Sequence, residues 1–74
     1  MEKEMVNNPE HYQFGKNNEY EAIKVIEAWG LDFHLGNTVK YISRAGIKNR
    51  DKELEDLRKA AWYLQRKIDN LEKK

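Results

Sequence analysis

Between residues 33 and 50 the sequence gathers the side chains best suited to holding a charged ligand. Asn37, Lys40, Tyr41 and Arg44 follow at i, i+3, i+4 and i+7, so on a helix they share one face. Phe33 lies on the same side, Lys48 follows just after the turn, and Arg50 is close behind. A guanidinium grips phosphate oxygens through a two-pronged fork, and an ammonium does so as a point charge. Tyr41 or Phe33 can stack on a base, while the Asn37 amide offers both a donor and an acceptor. Phosphate grip, aromatic platform and amide reader make a candidate nucleotide site, although the same spacing also describes an ordinary solvated helix face. His11 and Tyr12 are added to it, because an imidazole near neutral pH can contact phosphate or move a proton. A lone histidine in such a segment also serves simply as surface or packing.

Familiar catalytic signatures are missing. There is no glycine-rich loop ending in Lys and Ser/Thr, no GxGxxG and no cysteine, so neither phosphate-cradling motif is present. Ser43 has no histidine partner in a recognisable order. Glu21 and Glu27, with Glu53, Glu55 and Asp56, supply carboxylates of the kind that hold magnesium between facing helices, but without the spacing of the helical pyrophosphatases. No metal site is assigned, and Mg2+ is expected only if the chain is an enzyme. With two histidines and no cysteine, an all-protein zinc site is not expected either.

Three helices must position these residues. Residues 1–17 carry Asn7, Asn8, Pro9 and Gly15 without helical periodicity and read as an N-terminal arm, leaving 18–74 as a single helical domain. The first helix is predicted to begin after Asn18, which with Glu21 has the N-cap and N3 spacing of a capping box. It stops at Gly30, where Ile26 and Leu31 are the apolar pair of a Schellman ending. The second runs from an Asp32 cap to Gly46, with Ile42 and Ile47 as the corresponding pair and Leu35, Val39, Ile42 and Ala45 as its buried face. Gly36 inside it costs about 1 kcal/mol relative to alanine, so either something approaches the backbone there or the helix begins after it. The third is predicted to be capped by Asp51, with Glu53 and Glu55 in its first turn and Lys73 and Lys74 in its last.

Along that third helix Leu54, Leu57, Ala61, Leu64, Ile68 and Leu71 are spaced three, four, three, four, three. This is an unbroken heptad seam on a rod roughly 33 Å long, more than two short helices can cover. Trp62 and Tyr63 lie off the seam and call for a second contact, with the first two helices or with another subunit. The chain has 74 residues, near the size at which a lone core is marginal, and disulfides cannot reinforce it. The expected fold is therefore all-α, two short helices plus one long C-terminal helix, assembled as a helical-bundle homo-oligomer.

Composition narrows the partners. The chain is 39% hydrophobic and 36% charged with a net charge of +1, and no apolar run approaches a membrane span or a signal peptide. A cytoplasmic protein with no membrane partner is expected. The balance is −3 over residues 1–30, +3 over 31–50 and +1 over the remainder. A near-neutral total argues against extended DNA binding, whereas a local basic segment suits a compact anion.

The linked strings PEHY at 9–12, Gly15, YEAIKVIEAWGLDFHLGNTVKYISRAGIKN at 20–49 and EDLRKAAWYLQRKI at 55–68 resemble a family of small phage and prophage proteins of unknown function. That domain also resembles one carried by an early phage nucleotide kinase, which works without a Walker motif. The resemblance implies a phage origin, a host-cell cytoplasmic setting, an oligomer and a nucleotide-related role. It transfers no catalytic assignment, and the chain lacks the additional N-terminal region of the kinase. The resulting expectation is a small nucleotide-binding protein that sequesters a nucleotide or cyclic-nucleotide signal or tunes the nucleotide pool. The alternatives are a nucleoside monophosphate kinase-like phosphotransferase and a helical adaptor for a host protein.

Overall fold

The computed structural model describes residues 17–47 and 49–73. Among the described residues three α-helices, α1 (Ala22–Trp29), α2 (Phe33–Arg44) and α3 (Glu53–Glu72), follow in order, with a 3-10 turn over Arg50–Lys52 leading into α3. The described chain is all-helical, with two shorter helices and one long C-terminal helix. At 1.5 Å per residue they span about 12, 18 and 30 Å.

The start of α1 departs from the predicted capping box. Asn18 has a positive φ of 58°, which asparagine tolerates better than most residues. Its carbonyl accepts from the Glu21 N–H at 3.2 Å, closing a turn before the helix begins. Glu21 thus becomes the residue preceding α1 and makes no side-chain capping bond; its carboxylate is instead buried. The predicted end holds. Gly30 takes φ 65°, its N–H donates to Glu27 at 3.2 Å, and the Leu31 N–H donates to Ile26 at 3.1 Å. These are the two bonds of a Schellman ending.

Asp32 caps α2, its carboxylate accepting from the Leu35 N–H at 2.9 Å. The helix begins before Gly36, and a side chain does approach there: a Cβ on Gly36 would lie 3.2 Å from a methyl of Ile26. α1 thus rests on α2 at its glycine. The C-terminus of α2 is tighter than predicted. Gly46 has φ 74°, but the Ile47 N–H donates to Arg44 at 3.1 Å rather than reaching Ile42. Ile42 is exposed, against the prediction that it is buried, while Gly36 and Thr38 are the buried positions. Ile42 lies about 9 Å along α2 from Gly36, too far for the short α1 to cover.

Asp51 does not cap α3. Asn49 caps the preceding turn instead, accepting from the Asp51 N–H at 2.9 Å. Glu53, Glu55 and Asp56 occupy the positive first turn as expected. The last turn holds no basic residue, since the helix ends at Glu72, one residue before Lys73; Lys74 lies outside the described residues.

α2 and α3 pack as an antiparallel hairpin, pinned at one end by Arg44 with Asp56 and at the other by Asp32 with Lys67. The face of α3 turned to α2 carries Asp56, Ala60, Tyr63 and Lys67, all buried or half-buried. Ala60, 5% exposed, is the one buried apolar residue among those described. The heptad seam is not in this interface. Leu54, Leu57, Ala61, Leu64, Ile68 and Leu71 are all exposed, Leu54 by 60% and Leu64 by 43%.

Candidate functional site

The Asn37–Lys40–Tyr41–Arg44 face of α2 is not the open solvent face that its spacing allows. It is turned toward α3, and Tyr41 is its centre. The Tyr41 ring stacks on Tyr63 of α3 with centroids 5.9 Å apart and planes 10° from parallel. Phe33 meets Tyr63 edge-on at 5.9 Å, and Trp62 does so at 5.1 Å. Edge-to-face and offset stacks are the arrangements that the aromatic quadrupole favours.

Three cations gather on the same Tyr41 ring. The Lys40 ammonium stands 5.4 Å from its centroid, the Arg44 guanidinium 5.8 Å and the Lys59 ammonium 5.4 Å. All lie within the distance at which a cation is attracted to a ring face, which offsets part of the repulsion between them. Two come from α2 and one from α3, so the cluster exists only because the hairpin closes.

Two carboxylates answer this charge incompletely. Asp56 is buried, with its Oδ2 4.0 Å from the Arg44 Nε, too long for a hydrogen bond. Glu55 holds Lys59 at 3.1 Å and Lys52 at 3.4 Å. The bond to Glu55 raises the Lys59 pKa above its ordinary value, and the bonds to Lys59 and Lys52 lower that of Glu55. Both therefore stay charged at neutral pH. Among the described residues no carboxylate lies within ion-pair distance of Lys40. Asn37 donates one amide N–H to the Phe33 carbonyl at 2.9 Å, which leaves its second N–H to donate and the amide oxygen to accept.

Beside the cluster a shallow groove of about 570 Å³ runs along α3, lined by Asp51, Leu54, Glu55, Arg58, Lys59 and Trp62. Lys59 belongs to both. Trp62, 60% exposed, presents a large ring there, whereas Tyr41 is occupied by its stack with Tyr63. No three acidic or histidine side chains among the described residues converge as a metal site; Glu21, Glu27, Glu53, Glu55 and Asp56 do not form one. No described helix is long and apolar enough to cross a membrane.

A family profile, that of DUF3310, proteins of unknown function, matches residues 6–65. The chain belongs to this family. No curated protein and no solved structure matches it. DUF3310 is a phage-associated family, and its description names no activity, so the kinase expectation gains no support from it.

Of the residues singled out in this DUF3310 chain, Lys40, Tyr41 and Arg44 come together, with Asn37 one turn away. His11, Tyr12 and Lys48 lie outside the described residues. Sequence reasoning missed Lys59, Trp62 and Asp56 as neighbours of the cluster. Lys59 and Tyr63 are four residues apart on α3 and so share a face, a signal that pointed to a shared partner without naming it. Glu21 was also missed as a buried group. Its Oε1 pairs with Lys24 at 3.4 Å, while its Oε2 is buried without a hydrogen-bond partner among the described residues.

Proposed function

We propose that this protein binds a small phosphorylated molecule of the nucleotide class, at the cationic cluster where α2 meets α3. In this reading Lys40, Arg44 and Lys59 hold phosphate oxygens. Trp62 replaces Tyr41 as the platform for the base, and the Asn37 amide oxygen accepts from the ligand. Tyr41 keeps the role of a scaffold that holds the cations together. His11, Tyr12 and Lys48 are further ligands in the same proposal. The observation that carries it is the convergence of three cations from two helices within 5.4–5.8 Å of one ring, only partly compensated by carboxylates. The groove volume also lies in the range of small-molecule sites.

Such a module, in a phage-infected cell, would sequester a nucleotide or cyclic-nucleotide signal or tune the nucleotide pool. We further infer that it works as a homo-oligomer, because so much of the apolar surface of α3 is left open on one chain.

Calorimetry against mono-, di-, tri- and cyclic nucleotides tests the binding. At least one class should bind, and Arg44→Ala and Lys59→Ala should each weaken it about tenfold or more, as expected on removing a charge-assisted contact. No binding by any class overturns the function. Undiminished binding by both variants moves the site elsewhere. A phosphotransferase would instead consume ATP in the presence of magnesium and a deoxynucleotide acceptor, which a turnover assay on the same samples reads directly.

A further inference from the structure

We infer that the exposed seam of α3 is completed by the same seam of a second copy, with the two helices parallel and in register. The inference rests on the assembly part of the reading above and is independent of nucleotide binding. In heptad terms Leu54, Ala61 and Ile68 take the a positions, and Leu57, Leu64 and Leu71 take the d positions. Leucine at every d, with a β-branched residue among the a positions, suits a two-stranded parallel coil.

The flanking charges decide the orientation. The g positions are Glu53, Ala60 and Lys67, and the e positions are Arg58, Gln65 and Glu72. In a parallel pair each g side chain meets the e side chain five residues on in the partner helix, and such pairs set partner choice and orientation. Glu53 then meets a partner arginine at 58, and Lys67 meets a partner glutamate at 72. Both pairs are opposite in sign, and the third, Ala60 with glutamine, is neutral. Antiparallel helices with the whole seam overlapped place e beside e and g beside g. Arg58 then faces glutamine and Lys67 faces alanine, and at the sequence positions of the helix ends the one opposite-sign pair, Glu53 with Lys74, is offset by the like-sign pair of Glu72 with Asp51. Lys67 already holds Asp32 of its own chain, but an ammonium has three donors and can take a second carboxylate.

The geometry of the single chain leaves room for this partner. α2 covers Asp56, Ala60, Tyr63 and Lys67, a direction about 100° around the helix from the seam. The groove beside Trp62 opens on the other side, sharing Leu54 with the seam and Arg58 with its flanking charge pair. A second copy on the seam therefore leaves the cationic cluster open.

The absence of cysteine makes the test clean. Single variants Leu54→Cys and Leu71→Cys, at opposite ends of the seam, are oxidised separately and as a mixture, with helix content checked by circular dichroism. Seventeen residues separate the two positions, roughly 25 Å along the helix, so the alignments cannot mimic each other. The parallel pair predicts a disulfide-linked dimer from each variant alone. A disulfide that forms only between the two variants in the mixture overturns the parallel orientation while keeping self-assembly. No disulfide in any sample, with the unmodified protein monomeric by native mass spectrometry, overturns self-assembly and gives the seam to another segment or another protein.

Charge reversal provides a second readout that leaves the seam intact. Arg58→Glu should weaken dimerisation about tenfold by placing like charges opposite each other, and adding Glu53→Arg should restore it. If Arg58→Glu dimerises like the unmodified chain, the parallel pairing is wrong.

Discussion

The two faces of α3 are built from the same twenty residues and do opposite things. The face toward α2 is made of a buried aspartate, a small alanine, a tyrosine and a lysine, and it holds its neighbour through ring stacking and charge. The other carries five large apolar side chains and Ala61 at heptad spacing, and all six are exposed. A small domain normally reserves its largest apolar residues for its own core, since each contributes about 1.5–3 kcal/mol when buried. Here they lie outside; the inward face specifies the hairpin, and in our proposal the outward face specifies association.

The two faces can be broken separately. Leu64→Asp, which touches only the outward face, should abolish assembly and leave particles of the 8.9 kDa chain mass in sedimentation. Retained assembly would detach the seam from that role. Tyr63→Ala touches only the inward face and removes the ring on which Phe33, Tyr41 and Trp62 meet. Its expected cost is about 2–3 kcal/mol by denaturant unfolding, below that of a fully buried aromatic because Tyr63 is half-buried. Tyr63→Phe, which keeps the ring, should stay within about 0.5 kcal/mol of the unmodified protein. Equal losses in the two variants would mean that the hydroxyl, not the stack, holds the hairpin.

Smaller effects sharpen the account of how α3 is brought against α2. Gly46 and Gly30 both have positive φ, so alanine at either should cost about 1–2 kcal/mol. Gly46→Ala should cost more, because its Cβ would also meet the Glu53 side chain at 3.0 Å, whereas nothing lies within 4 Å at Gly30. Thermal melts that rank them the other way would contradict the tight α2–α3 turn. The smallest effect concerns Asp32. Its bond to Lys67, and then the Leu35 N–H, hold its pKa below the ordinary value of 3.8. A depressed carboxylate pKa contributes stability that is present above the unfolded value and lost as pH falls through the folded one. Asp32→Asn keeps a capping oxygen without the charge, so the loss of stability on acidification below about pH 4 should be shallower than in the unmodified protein. An unchanged acid profile would mean that the pair at this end of the hairpin contributes nothing.

Much of this framework was legible in the sequence wherever the decisive interaction is local. The Gly30 ending, the Asp32 cap and the heptad pattern each depend on residues within a few positions of one another. Local spacing also misled, because Asn18 and Glu21 match a capping box while the left-handed backbone at Asn18 moves the start of α1 to Ala22. Periodicity identified which residues share the Asn37–Arg44 face but not what stands opposite. The face that looked open is half-covered by α3, with Tyr41 stacked on Tyr63 and Lys40 still exposed, and Ile42, on the apolar stripe, is exposed because α1 is too short to reach it. The candidate site was legible by halves for the same reason. Lys40 and Arg44 are neighbours in sequence, whereas Lys59 and Trp62 join only once the hairpin closes.

The most direct test of the claim that α3 is shared between copies is sedimentation equilibrium over a wide concentration range, with melting temperature followed on the same samples. A seam shared by two copies predicts twice the 8.9 kDa chain mass and a melting temperature that rises with protein concentration, as mass action requires of an associated native state. A single-chain mass at every concentration, with a melting temperature independent of it, would contradict the account.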